Sequence, residues 1–287
     1  MDLSGQRRSD NVDDRRGGGG GRRAGVGLTL GGVVVALVVG KLLGLSPVEV
    51  LQAMQDAQQQ QRTAPGPRTT GGPVSDQASD FVRAVLGSTE DAWDSVFQAQ
   101  GKTYPRPTLV LFRDTVDSAC GFETAATGPF YCPGDQQVYL DVGFFDLLSQ
   151  RFGAPGDFAQ AYVIAHEVGH HVQKVLGTSD RVHAQRTALG KAERNALSVR
   201  LELQADCFAG VWANRGQKLR TFIQEGDVEE AIKAATAIGD DTLQRGAGRA
   251  VSPESFTHGS SAQRVKWFKT GMREGTIAAC DTFAAEP

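Results

Sequence analysis

The sequence is short of most features that place a protein quickly. It has no strong excess of one charge. Over 287 residues, 30 Lys and Arg stand against 33 Asp and Glu, a formal net charge of −3. Nucleic-acid binders normally carry a clear basic excess, so the balance argues against nucleic acid as a partner. With 40% hydrophobic residues the chain is too apolar to be wholly disordered. Four cysteines are too few for a disulfide-dense miniprotein but enough for two bridges, and no two of them form a C-x-x-C pair. Only one long apolar run is present, which excludes a polytopic membrane protein. No internal repeat is visible. Histidine is scarce, with five in the whole chain, so each position carries weight.

What is present divides the chain into parts. Residues 1–25 contain six Arg, four Asp and the glycine run Gly17 to Gly21. That composition predicts a disordered tail with no core of its own. Val26 to Leu45 then gives 20 residues with one charge, Lys41. As a helix this run is ~30 Å long, one hydrocarbon thickness, and predicts a single transmembrane helix. A cleaved signal peptide is the competing reading, but the run is long for one and no A-x-A-like site follows. A buried soluble helix is the other alternative, against which the many Val and Gly speak. The Arg-rich flank places the N-terminus in the cytoplasm and the remainder outside it. Gly27/Gly31 and Gly40/Gly44 offer small-residue surfaces for oligomerisation in lipid. Residues 46–75, with Gln58 to Gln61 followed by Pro- and Gly-rich sequence, read as a flexible linker. Residues 76–287 have the length of one domain.

Within that domain, apolar spacing predicts helices around Phe81 to Leu86 and Trp93 to Phe97, and strands at Thr108 to Phe112 and Gln137 to Val142. A loop is expected from Cys120 to Pro133 and a short helix from Phe144 to Phe152. Long helices follow from Asp157 to about Leu176 and from Lys191 to Asn214, with two more near Asp227 to Ile238 and Ala262 to Met272. The fold class expected is α+β, mostly helical with a small sheet.

The first long helix carries His166-Glu167-Val168-Gly169-His170. Residues four apart share a helix face, so both imidazoles can meet one zinc ion, with Glu167 at the edge of that face beside a metal-bound water. Leu176 stands where a third histidine of an extended motif would be, so the third ligand must come from elsewhere. Glu202, with Asp206 four positions on, is the best candidate. Both are acidic residues in an otherwise apolar helix, one suited to the metal and the other to the free ring N–H of a ligand histidine. Zn2+ is therefore the expected cofactor, lowering the pKa of its water while Glu167 takes the proton and passes it to the leaving amine. A second oxyanion donor is expected from His258, with Arg264 next and Tyr139 and Tyr162 as alternatives. A histidine in a Gly/Ser loop before a helix also serves as a surface or capping residue, and that reading stays open. His171 is read as structural. The strand Gln137 to Val142, if an exposed edge, would pair with an extended peptide or protein substrate.

The segments Ala165 to Gln173, Glu202 to Cys207 and Phe256 to Ser261, with Cys132 to Gln136 and Gly239-Asp240-Asp241, resemble the bacterial putative neutral zinc metallopeptidase family. So does the layout of basic tail, apolar span, Gln/Pro-rich linker and domain. The resemblance covers nearly the whole chain and implies a zincin-like fold, a zinc endopeptidase activity and a place in the bacterial cell membrane. The rival reading is a catalytically idle zincin-like domain serving as an envelope scaffold or partner-binding module. In an exported domain the cysteines oxidise, and Cys120–Cys132 with Cys207–Cys280 is the expected choice among three pairings.

Overall fold

The computed structural model describes residues 1–16, 76–124 and 128–284. The expected transmembrane helix and the linker lie outside the described residues. Among the described residues, no helix is long and apolar enough to cross a membrane. Residues 1–16 and the chain from Val74 onward make one compact unit.

The described domain is mostly helical with a small sheet. The strands are β1 (Val12–Asp14), β2 (Thr108–Phe112), β3 (Thr115–Ser118), β4 (Gly121–Thr124), β5 (Phe130–Cys132) and β6 (Gln137–Asp141). The helices are α1 (Gln77–Gln98), α2 (Phe144–Gln150), α3 (Asp157–Val175), α4 (Thr178–Arg186), α5 (Lys191–Leu219), α6 (Asp227–Ala237), α7 (Asp240–Gly246) and α8 (Ser261–Glu274). The main sheet has the order β1-β2-β6-β5, with β1, β2 and β6 parallel and β5 antiparallel to β6. β3 and β4 form a separate hairpin.

The N-terminal tail departs from expectation. Residues 1–16 are ordered, and β1 adds to the sheet with Val12 opposite Leu109 and Asp14 opposite Leu111. Composition misled here because the arginines find partners distant in sequence. Arg7 pairs with Glu90 and Asp91, and Arg8 with Asp80. The chain passes so closely over α1 that a Cβ on Gly87 would overlap the Arg7 carbonyl. Met1 extends the same path, its ammonium held by Asp157 at 2.8 Å and Asp227 at 3.1 Å.

α3 and α5 run through the core. Phe158, Tyr162, Ile164, Ala165 and Val168 of α3 are buried, as are Leu203, Phe208, Val211 and Trp212 of α5. Their approach is set by Gly169, inside the histidine motif. A Cβ there would come within 2.9 Å of the Ala205 carbonyl oxygen. A larger residue would force the two helices apart, and with them the two histidines from Glu202. Both expected disulfides are formed. Cys120–Cys132 ties the end of the β3–β4 hairpin region to β5, and Cys207–Cys280 ties the C-terminal segment to α5.

Candidate metal centre

The two histidines and the glutamate named from the sequence meet across the α3–α5 contact. Each of His166, His170 and Glu202 offers one donor atom within 4.8 Å of the other two. His166 Nε2 lies 3.2 Å from Glu202 Oε2, and His170 Nε2 lies 3.5 Å from Glu202 Oε1. The i, i+4 spacing puts the rings edge to face, 4.8 Å apart. Glu167 stands beside them, buried, and its carboxyl is pushed up by that burial against the lowering pull of His170 and His166.

Behind the donors is a second layer of hydrogen bonds. Asp206, fully buried, accepts from His166 Nδ1 at 2.8 Å, as expected. The same carboxylate accepts from the Tyr162 hydroxyl at 2.5 Å and from Arg264 Nε at 2.8 Å and Nη2 at 2.9 Å. His170 Nδ1 donates to Gln173 Oε1 at 2.9 Å, and Gln173 Nε2 donates to the Leu201 carbonyl at 2.7 Å. Gln204 continues this line by accepting from Gln173 Nε2 at 3.2 Å and donating to the Cys280 carbonyl at 2.9 Å. The second disulfide therefore stands behind the second histidine. With each Nδ1 so engaged, both Nε2 atoms are left facing Glu202.

The centre lines a cleft of about 850 Å³. Phe130 and Tyr131 of β5 form one side, and His183 and Arg186 of α4, with Leu243 and His258, line the remainder. His258 thus faces the same cleft as the histidine pair. Its loop is fastened by Asp240, whose Oδ2 accepts from the backbone N–H groups of Thr257 at 2.7 Å, His258 at 2.6 Å and Gly259 at 3.0 Å. Asp240 Oδ1 meets His258 Nδ1 at 3.2 Å, and this hydrogen bond raises the histidine pKa.

Other expected residues fall elsewhere. Tyr139 does not line the cleft, and its hydroxyl bonds Asp135 at 2.8 Å. Tyr162 and Arg264 line it, but both are committed to Asp206. His171 is structural, as read: buried, with Nε2 donating to the Pro105 carbonyl at 2.6 Å and Nδ1 accepting from the Tyr131 hydroxyl at 3.2 Å. The expected edge strand needs correction. β6 is bonded on both sides, by β2 and β5, so it offers no free edge to a substrate. The edge beside the cleft is β5, three residues inside what the sequence suggested was a loop.

Gln173 and Asp240 escaped the sequence reading as supports of the site. The spacing held a signal for Gln173 and none for Asp240. Gln173 is a polar residue on a buried helix, three positions after His170. Asp240 precedes no apolar pattern that would draw attention to it.

A family model described as putative neutral zinc metallopeptidase matches residues 1–283. The chain belongs to this family. The uncharacterized protein YpfJ of Escherichia coli K12 is 46% identical over 290 residues, covering 99% of each chain. The uncharacterized protein Rv2575 of Mycobacterium tuberculosis H37Rv is 41% identical over 254 residues, covering 85% of each. No solved structure matches the chain. In this metallopeptidase family member the donors fit the metal that the family name implies. Two imidazoles and a carboxylate are the set zinc takes when a fourth position is left open, and each ring is already oriented from behind. A second close group, Asp157, Asp227 and Glu230, is all carboxylate, and the Met1 ammonium occupies two of its members.

The electrostatics of the metal-free centre carry a prediction. Burial acts to lower the His166 pKa, but the Asp206 charge and hydrogen bonds to Asp206 and Glu202 outweigh it and bring it to about 10. At pH 7 the folded, metal-free chain therefore holds a proton that zinc must displace. Zinc affinity is expected to rise with pH, by up to tenfold per unit below pH 10 for one released proton. Calorimetric titration at pH 7 in buffers of different ionisation enthalpy checks this. A binding heat independent of buffer would show that no proton is released.

Proposed function

We propose that the protein is a zinc-dependent endopeptidase of zincin-like type that hydrolyses peptide bonds in protein substrates. The observation supporting this most directly is the buried Glu167 beside three convergent donors from two helices, open to a cleft. His166, His170 and Glu202 would hold the ion. When bound, zinc supplies Lewis acidity, polarising a carbonyl and lowering the pKa of water in the site.

The remaining work falls to the chain's own groups. Glu167 accepts the proton of the attacking water and returns it to the leaving amine. Burial raises its pKa and so makes it the stronger base. His258, its Nδ1 turned to Asp240, presents Nε2 to the cleft as donor to the oxyanion. The raised pKa of His258 favours the doubly protonated ring that this role requires. Asp206, held by Arg264 and Tyr162, fixes the His166 ring. An extended substrate would add through backbone hydrogen bonds to β5, an edge of the sheet among the described residues, beside the cleft.

The two disulfides support work in an oxidising, extracytoplasmic compartment. The apolar run at 26–45 supports association with the cell membrane. The test is purified full-length chain incubated with an unfolded protein substrate, assayed for zinc content and cleavage products. One zinc per chain is expected, with cleavage lost on chelation and restored by zinc. A zinc-loaded chain that cleaves no unfolded protein or peptide would refute the proposal.

A further inference from the structure

The cleft has two chemically unlike ends. Tyr162, His166, His170 and Lys174 of α3 all line it, and their spacing of four makes one continuous helix face. From Tyr162 to Lys174 that face is ~18 Å long, room for about five residues of extended chain, with the two metal-binding histidines in its middle. The Tyr162 end is apolar. Arg264 bonds the Tyr162 hydroxyl at 3.4 Å and the Ile238 carbonyl at 3.3 Å, which places Ile238 there, and Ile238, Leu243 and Val163 all line the cleft. The Lys174 end is formed by α4. Lys174 Nζ meets Asp180 Oδ1 at 2.7 Å, and Ser179, Val182, His183 and Arg186 line the cleft beyond it. These four positions form one face of α4, which carries two basic side chains and no acidic one. α4 buries only Thr178 and Val182, so neither basic side chain is needed to hold the helix in place.

Arg186 is set apart by its lack of a partner. The other formal charges lining the cleft are engaged: Lys174 with Asp180, Glu202 with the two histidines, Arg264 with Asp206, and Glu167 beside the centre as the base. Arg186 is half-buried, and among the described residues its guanidinium forms no hydrogen bond or ion pair. A partly buried cation without a counter-ion retains a desolvation cost that an anion entering the cleft would offset. The planar guanidinium presents paired N–H donors that match the two oxygens of a carboxylate. His183, three positions earlier on the same face, adds a ring nitrogen.

Resting on the endopeptidase reading, we propose that Arg186, with His183 on the same face, is a carboxylate-binding subsite at the α4 end of the cleft, and that it selects substrates bearing a carboxylate close to the scissile bond. Lys174, where this end begins, lies one helical turn beyond His170. That is ~6 Å, or about two residues of extended chain. Such a carboxylate is either an Asp or Glu side chain or the free end of a peptide, and Arg186 would receive both by the same paired hydrogen bonds. The opposite end, with Val163, Ile238 and Leu243, accepts an apolar side chain.

The test measures binding apart from cleavage. The probes are four short, fluorescently labelled peptides of Ala, Leu and Ser with a central Glu or Gln, each ending in a free carboxylate or an amide. Their affinities for the zinc-loaded, full-length Glu167→Gln chain are read by fluorescence anisotropy, then again with Arg186→Gln added. Peptides with a carboxylate are expected to bind about tenfold more tightly than the Gln peptide with an amide end, the difference made by one charge-assisted hydrogen-bonded pair. Arg186→Gln is expected to bring that ratio close to one, and Arg186→Lys to restore part of it. Gln forms helix as readily as Arg, and Arg186 holds no partner, so the fold is kept. A larger gain from the central Glu identifies an acidic side chain as the ligand, and a larger gain from the free carboxylate identifies a chain end. Equal affinity for all four peptides, or a preference that survives Arg186→Gln, overturns the proposal. A wild-type chain that cleaves no protein or peptide while the preference holds would refute the endopeptidase reading and leave the subsite standing.

Discussion

Glu167→Gln is expected to bind zinc as the wild-type chain does and to lose peptide hydrolysis by roughly 10²–10⁴-fold, the range associated with one positioned general base. The amide is nearly isosteric with the acid, so the packing around it on α3 stays. It cannot take a proton from water. Zinc binding is spared because Glu167 is not among the three convergent donors. It also removes a carboxylate whose pKa is raised mainly by burial, so the change relieves a desolvation cost and should not lower stability. The measurement pairs zinc content by atomic absorption with cleavage of an unfolded protein. A zinc-loaded Glu167→Gln chain that cleaves at the wild-type rate would rule out the proposed base. A wild-type chain no faster than Glu167→Gln would favour the idle-domain reading.

The second large effect is expected at a residue that touches no donor atom of the centre with its main contacts. Arg264 and Asp206 are both fully enclosed, joined by two hydrogen bonds of 2.8 and 2.9 Å. Arg264→Met would leave the carboxylate buried with only Tyr162 and His166 as partners. Breaking a buried pair from one side costs about 3 kcal/mol or more, visible as a lower urea midpoint at pH 7. Zinc affinity should fall by about 10–100-fold, since Asp206 orients His166. The pH dependence has a definite sign. Burial tends to raise the Asp206 pKa, but Arg264 and His166 hold it below its ordinary value of 3.8. A depressed carboxylate contributes stability that is present above pH 3.8 and is lost as pH falls through the folded value. Arg264→Met should shrink that acid-sensitive share. Arg264→Lys keeps the charge but not the planar fork and should recover only part of the loss. Equal urea midpoints for wild type and Arg264→Met would show that the pair contributes no net stability.

The division between what could and could not be read from the sequence follows the range of the interactions. His166, His170 and the Glu202/Asp206 pair were legible because a helix converts a spacing of four into a shared face, and acidic residues on an apolar helix need partners. The long helices were legible for the same reason, as was the small sheet around β2 and β6. Both disulfides joined the expected partners. What was missed depends on contacts between polar groups distant in sequence, which no periodicity encodes. Arg7 and Glu90 are 83 positions apart, and neither looks unusual in its own neighbourhood. β1 and β5 have three residues each, too few to show alternation. α4 and α7 were missed because they carry little buried apolar surface, with only Thr178 and Val182 buried in one and none in the other.

The crossing of α3 and α5, with α8 behind it, also sets an order of events during synthesis. The histidine motif emerges first, but Glu202 follows 36 positions after His166, Arg264 another 58 after Asp206, and the Cys280 carbonyl that backs Gln204 comes 76 positions after it. A nascent chain that has exposed His166 and His170 to solvent still lacks the carboxylate, the guanidinium and the disulfide that hold them. The centre closes only once the chain as far as Cys280 has been released from the ribosome, so a translation product truncated before that point carries the motif without the machinery.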